Sequence, residues 1–431
     1  MKIKVLIFAL CALPLTLFAQ NSGNTSSPSP EFVYAGITNG SGGVAAFKLD
    51  QNNGKLTEVA GSPAILNGMS SFGPLATAQG FVYTENLQSS TAGEMFQFQP
   101  NATTGSLTLV HAKNFRLASD EQMDQLFASP NGNNLYGIFQ SSLTSFGLNH
   151  GLPSELGSVV VAQEQGSIWG FASDPAAPFA YAAVQSGNPF QGFQTPVVEL
   201  LNVAANGNLT DSGAAVAQLP NVFVPGGQSG LAVDPTGHFL VVINGAQDDQ
   251  LSVFAINSDG SLAEVPGSPF STGSSQAVAV HFDPTGQHVY LLDGGQVSPF
   301  VEDMKVFAID NASGALTAVQ SINLPSGVQF RSLKVEANFV FLTNAPGSGI
   351  GGTITVFKRA SSGQLKQAAT LTTNEDLAET DTFAFLKVRP TDLLFFSCLA
   401  QVKLLRNTNA FNHMGQALLA MQVQRRMMPS W

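Results

Sequence analysis

The side chains able to do chemistry are thinly spread along these 431 residues. His281 and His288 bracket the turn Asp283-Pro284-Thr285-Gly286 and are expected to face each other across one hairpin. Two imidazoles can begin a metal site. No third ligand stands at a matching spacing, so a packed or solvated cross-strand pair is the plainer expectation, and neither a metal nor another cofactor is called for. Arg331 stands just before a strand and could polarise a carbonyl, with a nearby carboxylate as general base. Its alternative role is an ion pair between neighbouring repeats. Phe190 and Phe193, set among Gln and Gly between Gln185 and Pro196, offer ring faces and amides to a neutral sugar. Asp293, Glu302 and Asp303 gather in a second long loop, and a third runs from Asn344 to Thr353. An ordinary long loop is the alternative for all three. The chain has no Ser nucleophile elbow, phosphate loop, zinc-type Cys/His cluster or basic-aromatic patch.

The elements that must position these residues repeat. Gly-x-Leu recurs at Gly54, Gly105, Gly207, Gly260, Gly314 and Gly363, with a degraded copy at Gly151-Leu152. The glycines are spaced by 51, 46, 56, 53, 54 and 49 residues. Each follows an alternating apolar run such as Leu251, Val253 and Phe254, and Asn or Asp often precedes it, as in Asn206-Gly207 and Asp259-Gly260. Such pairs supply the positive φ that a tight hairpin needs. Upstream stands a second turn, Asp234-Pro235-Thr236-Gly237 or Asp283-Pro284-Thr285-Gly286, with weaker versions at Ser129-Pro130-Asn131-Gly132 and Asp174-Pro175.

One unit therefore reads as a four-stranded meander of about fifty residues. Radial packing of seven such sheets buries both faces and protects the edges, so an all-β, seven-bladed propeller is expected over 32–390. The first unit, at Phe32-Val33-Tyr34, lacks an innermost strand, and Thr382 to Pro390 has the pattern to supply it. Eight units with a truncated or altered last blade are the alternative.

Lys2 and Lys4 precede an apolar run from Val5 to Ala19, which marks residues 1–19 as a signal peptide and 20–31 as a polar linker. The expected location is periplasmic or extracellular, with no membrane insertion of the mature chain. Removal of Cys11 would leave Cys398 as the only thiol, so stability must come from burial rather than an intrachain disulfide. The formal charge is -11, but its distribution matters more. Residues 20–386 carry ten basic and twenty-eight acidic side chains, and none between Leu117 and Met304 is Lys or Arg. That field excludes nucleic acid and anionic membrane surfaces as partners and leaves a small carbohydrate or an envelope partner, with the chain a monomer.

After Asp392 the composition changes: residues 387–431 hold six of the eighteen basic side chains, four of the nine Met and one acid. The segment 391–431 reads either as a helical extension around Gln416 to Arg426 or as the product of a reading-frame change.

Leu251 to Phe270, with Asn257-Ser258-Asp259-Gly260-Ser261-Leu262 and Pro266-Gly267-Ser268-Pro269-Phe270, resembles the lactonase-like seven-bladed propellers, which include 6-phosphogluconolactonase-like members. The resemblance covers roughly 32–390 through repeats. It implies hydrolysis of a sugar lactone at one mouth of the central channel. No match to the family's His- and Arg-bearing strand motifs is present, so no catalytic residue is carried over. The reading from the residues is a ligand- or partner-binding protein, with a sugar-lactone hydrolase as the alternative.

Overall fold

The computed structural model describes residues 31–387, apart from 38–42, 66–73, 90–91, 117–122, 163–165, 189–191, 221–229, 245–249, 274–276, 294–301, 326–329, 345–351, 374–376 and 378–382. The expected signal peptide, linker and C-terminal tail lie outside the described residues. Within them every regular element is a strand, and no helix is long and apolar enough to cross a membrane.

The strands form seven antiparallel blades, numbered here in chain order, each a meander from an inner strand to an outer one. Blade 4, for example, runs Ser167–Ser173, Phe179–Gln185, Val197–Val203 and Leu209–Gln218. The inner and second strands are joined in blades 3 to 6 by the Asp-Pro-type turns and in blades 2 and 7 by the tight turns Gln79-Gly80 and Ala337-Asn338. The third and outer strands are joined by the Gly-x-Leu hairpins, so both turn types lie on one end of the ring, called the base. The opposite ends of the strands define the upper face. Blades 1 and 5 carry a short extra strand, Ala64–Ile65 and Phe270–Ser271, after a Gly-Ser-Pro step.

Ring closure is by the chain end. Phe383–Lys387 pairs with Glu31–Ile37 as the inner strand of blade 1, followed outward by Gly43–Leu49 and Leu56–Glu58. Thr77 Oγ1 of blade 2 donates to the Phe385 carbonyl at 3.0 Å, tying this strand to its neighbour. Seven blades, not eight, therefore complete the ring.

The core lies between blades. Val33 and Phe47 of blade 1 pack with Phe341 and Val356 of blade 7, and Val241 and Leu251 of blade 5 with Val280 and Leu291 of blade 6. A sheet covered on both faces needs no polar alternation, which is why Phe239–Ile243 and His288–Asp293 are buried throughout. Outer strands meet solvent on one side, and Leu152–Val160 and Leu365–Thr372 accordingly alternate.

One contact repeats at all seven junctions. The first residue of each second-strand motif lies on the Gly-x-Leu glycine of the next blade: Phe32 on Gly105, Phe81 on Gly151, Asn134 on Gly207, Phe179 on Gly260, Phe239 on Gly314, His288 on Gly363 and Phe339 on Gly54. A Cβ added to Gly105 would come within 2.2 Å of the Phe32 ring. The glycine thus serves the hairpin, with its positive φ, and the close approach of the neighbouring blade. Two residues further on, Tyr34, Tyr83, Tyr181 and Tyr290 donate their hydroxyls to the carbonyls of Gly105, Gly151, Gly260 and Gly363 at 2.6–3.1 Å.

Candidate functional site

The inner strands carry a repeated irregularity near the upper mouth of the channel. In blades 3, 4, 6 and 7 the pairing of inner and second strands skips one residue, Asp124, Trp169, Val278 and Arg331 respectively. All four bulges fall at the same register. A bulge re-aims a side chain and is a frequent device beside binding sites. Arg331 therefore sits inside the strand Phe330–Glu336 rather than ahead of it, at the position Asp124 holds in blade 3. The placement of the Arg331 side chain lies outside the described residues.

The acidic trio of blade 6 divides between two junctions. Asp293 and Asp303 are opposite each other in the ladder and both are buried. Lys305 Nζ approaches Asp303 Oδ2 at 2.6 Å and also reaches Ser321 Oγ at 3.2 Å. Burial raises the pKa of Asp303, Lys305 opposes the rise and Asp293 adds to it. Glu302 is turned the other way: its Oε2 accepts the backbone amide of Phe330 at 2.9 Å, bracing the start of the blade 7 inner strand next to Arg331.

The two histidines do not face each other directly. The register places His281 opposite Tyr290, while the Asp283 amide donates to the His288 carbonyl. His281 Nε2 is buried without a partner, and burial, with Lys334 nearby, pushes its pKa down to about 3, so the ring is neutral. His288 Nδ1 lies 3.1 Å from Asp283 Oδ2, which Arg359 of blade 7 also reaches at 2.7 Å. Thr285, Gln287 and His288 donate further hydrogen bonds to the same carboxylate. These contacts outweigh the cost of burial and hold Asp283 below the usual carboxylate range. The cluster is a base staple between blades 6 and 7. No group of three His, Cys, Asp or Glu suited to a metal occurs among the described residues.

Of the aromatic pair, Phe190 lies outside the described residues. Phe193 belongs to a small hairpin, Gly187–Asn188 with Gly192–Phe193, raised on the upper face of blade 4 and pinned by the Gln194 amide on the Ser186 carbonyl at 2.9 Å. The position of its side chain is likewise outside the described residues.

Two features escaped the sequence reading. Glu85 follows Tyr83 by two residues and faces blade 3, in a slot that holds Gly36, Ile138, Ala183, Ile243, Leu292 or Thr343 in the other blades. It is 0% exposed, neither carboxyl oxygen has a hydrogen bond, and burial, reinforced by Asp124, pushes its pKa up to about 8. The second is an open groove at the base between blades 3 and 4, about 440 Å³, beside Asn134 and Tyr136. Aligning the seven second strands would have flagged both, since Glu85 is the one charged residue and Asn134 the one residue without a ring in their columns.

Seven four-stranded blades closed by a strand from the chain end define a seven-bladed β-propeller. Residues 195–332 match the family described as lactonase, 7-bladed beta-propeller. Solved structures share the fold over most of the chain. A Bacteroides fragilis protein provisionally assigned as a 6-phosphogluconolactonase is 17% identical with a TM-score of 0.62, covering 84% of this chain and 99% of that one. A Bacteroides uniformis protein with the same provisional assignment is 18% identical with a TM-score of 0.63, covering 84% and 100%. A Desulfotomaculum acetoxidans protein of unknown function gives 13% identity, a TM-score of 0.55, and coverage of 82% and 99%. A search of the curated proteins finds no match. The chain is a seven-bladed β-propeller, and its likeness to the lactonase family is carried by residues 195–332. At these identities the likeness extends to the fold and not to the chemistry.

Proposed function

We propose that the chain is an exported, monomeric propeller that binds a neutral carbohydrate or an envelope partner and does not catalyse a reaction. The observation that carries this reading is the use to which the charged residues are put. Asp303 is tied to Lys305, Glu302 holds the Phe330 amide, and Asp283 takes Arg359 and His288. These side chains brace the scaffold, and no Lys or Arg in the span from Leu117 to Met304 is there to hold a phosphorylated sugar acid. Export rests on Lys2, Lys4 and the apolar run to Ala19. Glycan-array and pull-down screening of the folded protein tests the reading, and failure to retain any ligand overturns it.

A second reading, sugar-lactone hydrolysis, is favoured by one observation: Arg331 stands on the inner-strand bulge at the channel mouth, beside the strand start that Glu302 braces. Purified protein would then open neutral or 6-phosphorylated aldonolactones faster than water does, and Arg331→Ala would remove the excess rate. Rates equal to spontaneous hydrolysis dispose of it.

A further inference from the structure

The junction of blades 3 and 4 departs from the pattern of the other junctions at several points, and the departures coincide at the base groove. Six second strands place an aromatic or imidazole ring on the next blade's glycine; blade 3 places Asn134 there. The turn that opens with Asp in blades 4, 5 and 6 opens with Ser129 in blade 3. The smaller residues accompany an open groove of about 440 Å³. A second cavity of about 320 Å³ adjoins it through Asn131 and Asn134.

The tyrosine of this blade is also exceptional. Four sister tyrosines donate to a glycine carbonyl of the next blade, but here that link is made by Asn134, whose Nδ2 donates to the Asn206 carbonyl at 2.8 Å. Tyr136 lines the groove, is 1% exposed, and its hydroxyl makes no hydrogen bond among the described residues. Its ring is held edge-on against Phe171 at 5.5 Å, and burial pushes its pKa up to about 12, so the hydroxyl stays protonated. Asn131 Oδ1 is already occupied by the Ser129 hydroxyl and the Asn133 amide, which leaves its Nδ2 as a donor. Phe179 and Pro178 supply apolar wall. Asp174, the single charged residue in the lining, spends Oδ1 on the amides of Ala176 and Ala177.

We infer that this groove is a saccharide site for a neutral ligand of one or two sugar units, separate from the upper face. Its volume lies within the range of small-ligand sites, and neutral amides and a phenol beside an aromatic wall suit hydroxyl-rich rings. The inference rests on the reading that the propeller takes carbohydrate, and adds a location opposite to the one the long loops would provide. Calorimetric titration of the full chain with maltose, cellobiose and their trisaccharide homologues tests it. Tyr136→Phe keeps the ring packing and should weaken binding at least tenfold. Asn134→Phe restores the phenylalanine present in five blades, fills the groove and should abolish binding, while Tyr83→Phe should leave it unchanged. Saccharide binding that survives both groove variants overturns the site and leaves an upper-face site standing. Absence of saccharide binding by the unaltered protein overturns the groove and the carbohydrate reading together.

Discussion

Phe339 of blade 7 lies on Gly54 of blade 1, the last of seven equivalent contacts that run once around the ring. A Cβ on that glycine would come within 3.1 Å of the Phe339 ring and 2.9 Å of Ala368 Cβ. Closure is therefore achieved twice, by this contact toward the base and by Phe383–Lys387 pairing at the channel.

The contact gives the repeat glycines a cost beyond turn strain. Gly105→Ala adds a methyl 2.2 Å from Phe32 at φ +79, whereas Gly132→Ala has a similar φ of +67 and nothing within 4 Å. The second should cost about 1 kcal/mol, the price of a left-handed residue. The first should cost about 2–4 kcal/mol, because overpacking adds to that strain. Denaturant unfolding of the two variants checks the difference.

The tyrosine latch can be measured against its own exception. Tyr83→Phe removes the 2.6 Å bond to the Gly151 carbonyl and should lose about 1 kcal/mol, the ordinary value for a buried hydrogen bond. Tyr136→Phe removes a hydroxyl with no such bond and should leave stability within about 0.5 kcal/mol of the parent. Equal losses in the two variants would show that Tyr136 has a scaffold partner after all.

Glu85 sets an alkaline limit. Its folded pKa of about 8 exceeds the ordinary 4.5, so the folded state holds the proton more tightly. The stabilisation is fully present below about pH 4.5 and is lost as pH rises through about 8. Glu85→Gln should therefore flatten the fall in thermal midpoint between about pH 4.5 and 8 and leave the variant more stable than the parent at pH 9 by several kcal/mol. His281 works at the acid end: held neutral with a pKa of about 3, it must take up a proton on unfolding, and stability is lost as pH falls from about 6.5 toward 3.

Arg359 supports the staple at blades 6 and 7. Arg359→Ala strands the fully buried Asp283 carboxylate with only His288 and neutral donors, a loss of about 3–5 kcal/mol. The double variant Asp283→Asn with Arg359→Met should recover part of it, because no unpaired charge then remains. Thermal unfolding of the single and double variants separates the two effects.

Fold and site were legible to different degrees. Gly-x-Leu and Asp-Pro-x-Gly report local backbone needs, so they survive in single repeats and even the degraded Gly151-Leu152 marks a true hairpin. The orphan strand near Thr382 was legible for the same reason, as a pattern lacking its partner. The histidines were not, since proximity to one turn does not fix register: His281 faces Tyr290, and His288 serves Asp283. Asp124 and Arg331 became comparable only when the ladders showed a shared bulge. Glu85 and Asn134 take their meaning from the neighbouring blade, a contact between residues far apart in sequence.

The central claim, that this seven-bladed propeller binds a neutral sugar instead of hydrolysing a lactone, is tested most directly by one paired measurement on the folded protein. Saturable binding to neutral glycans on an array, with aldonolactone opening no faster than in buffer, is the expected result. Lactone turnover above the spontaneous rate, abolished by Arg331→Ala and unaccompanied by glycan binding, would contradict it.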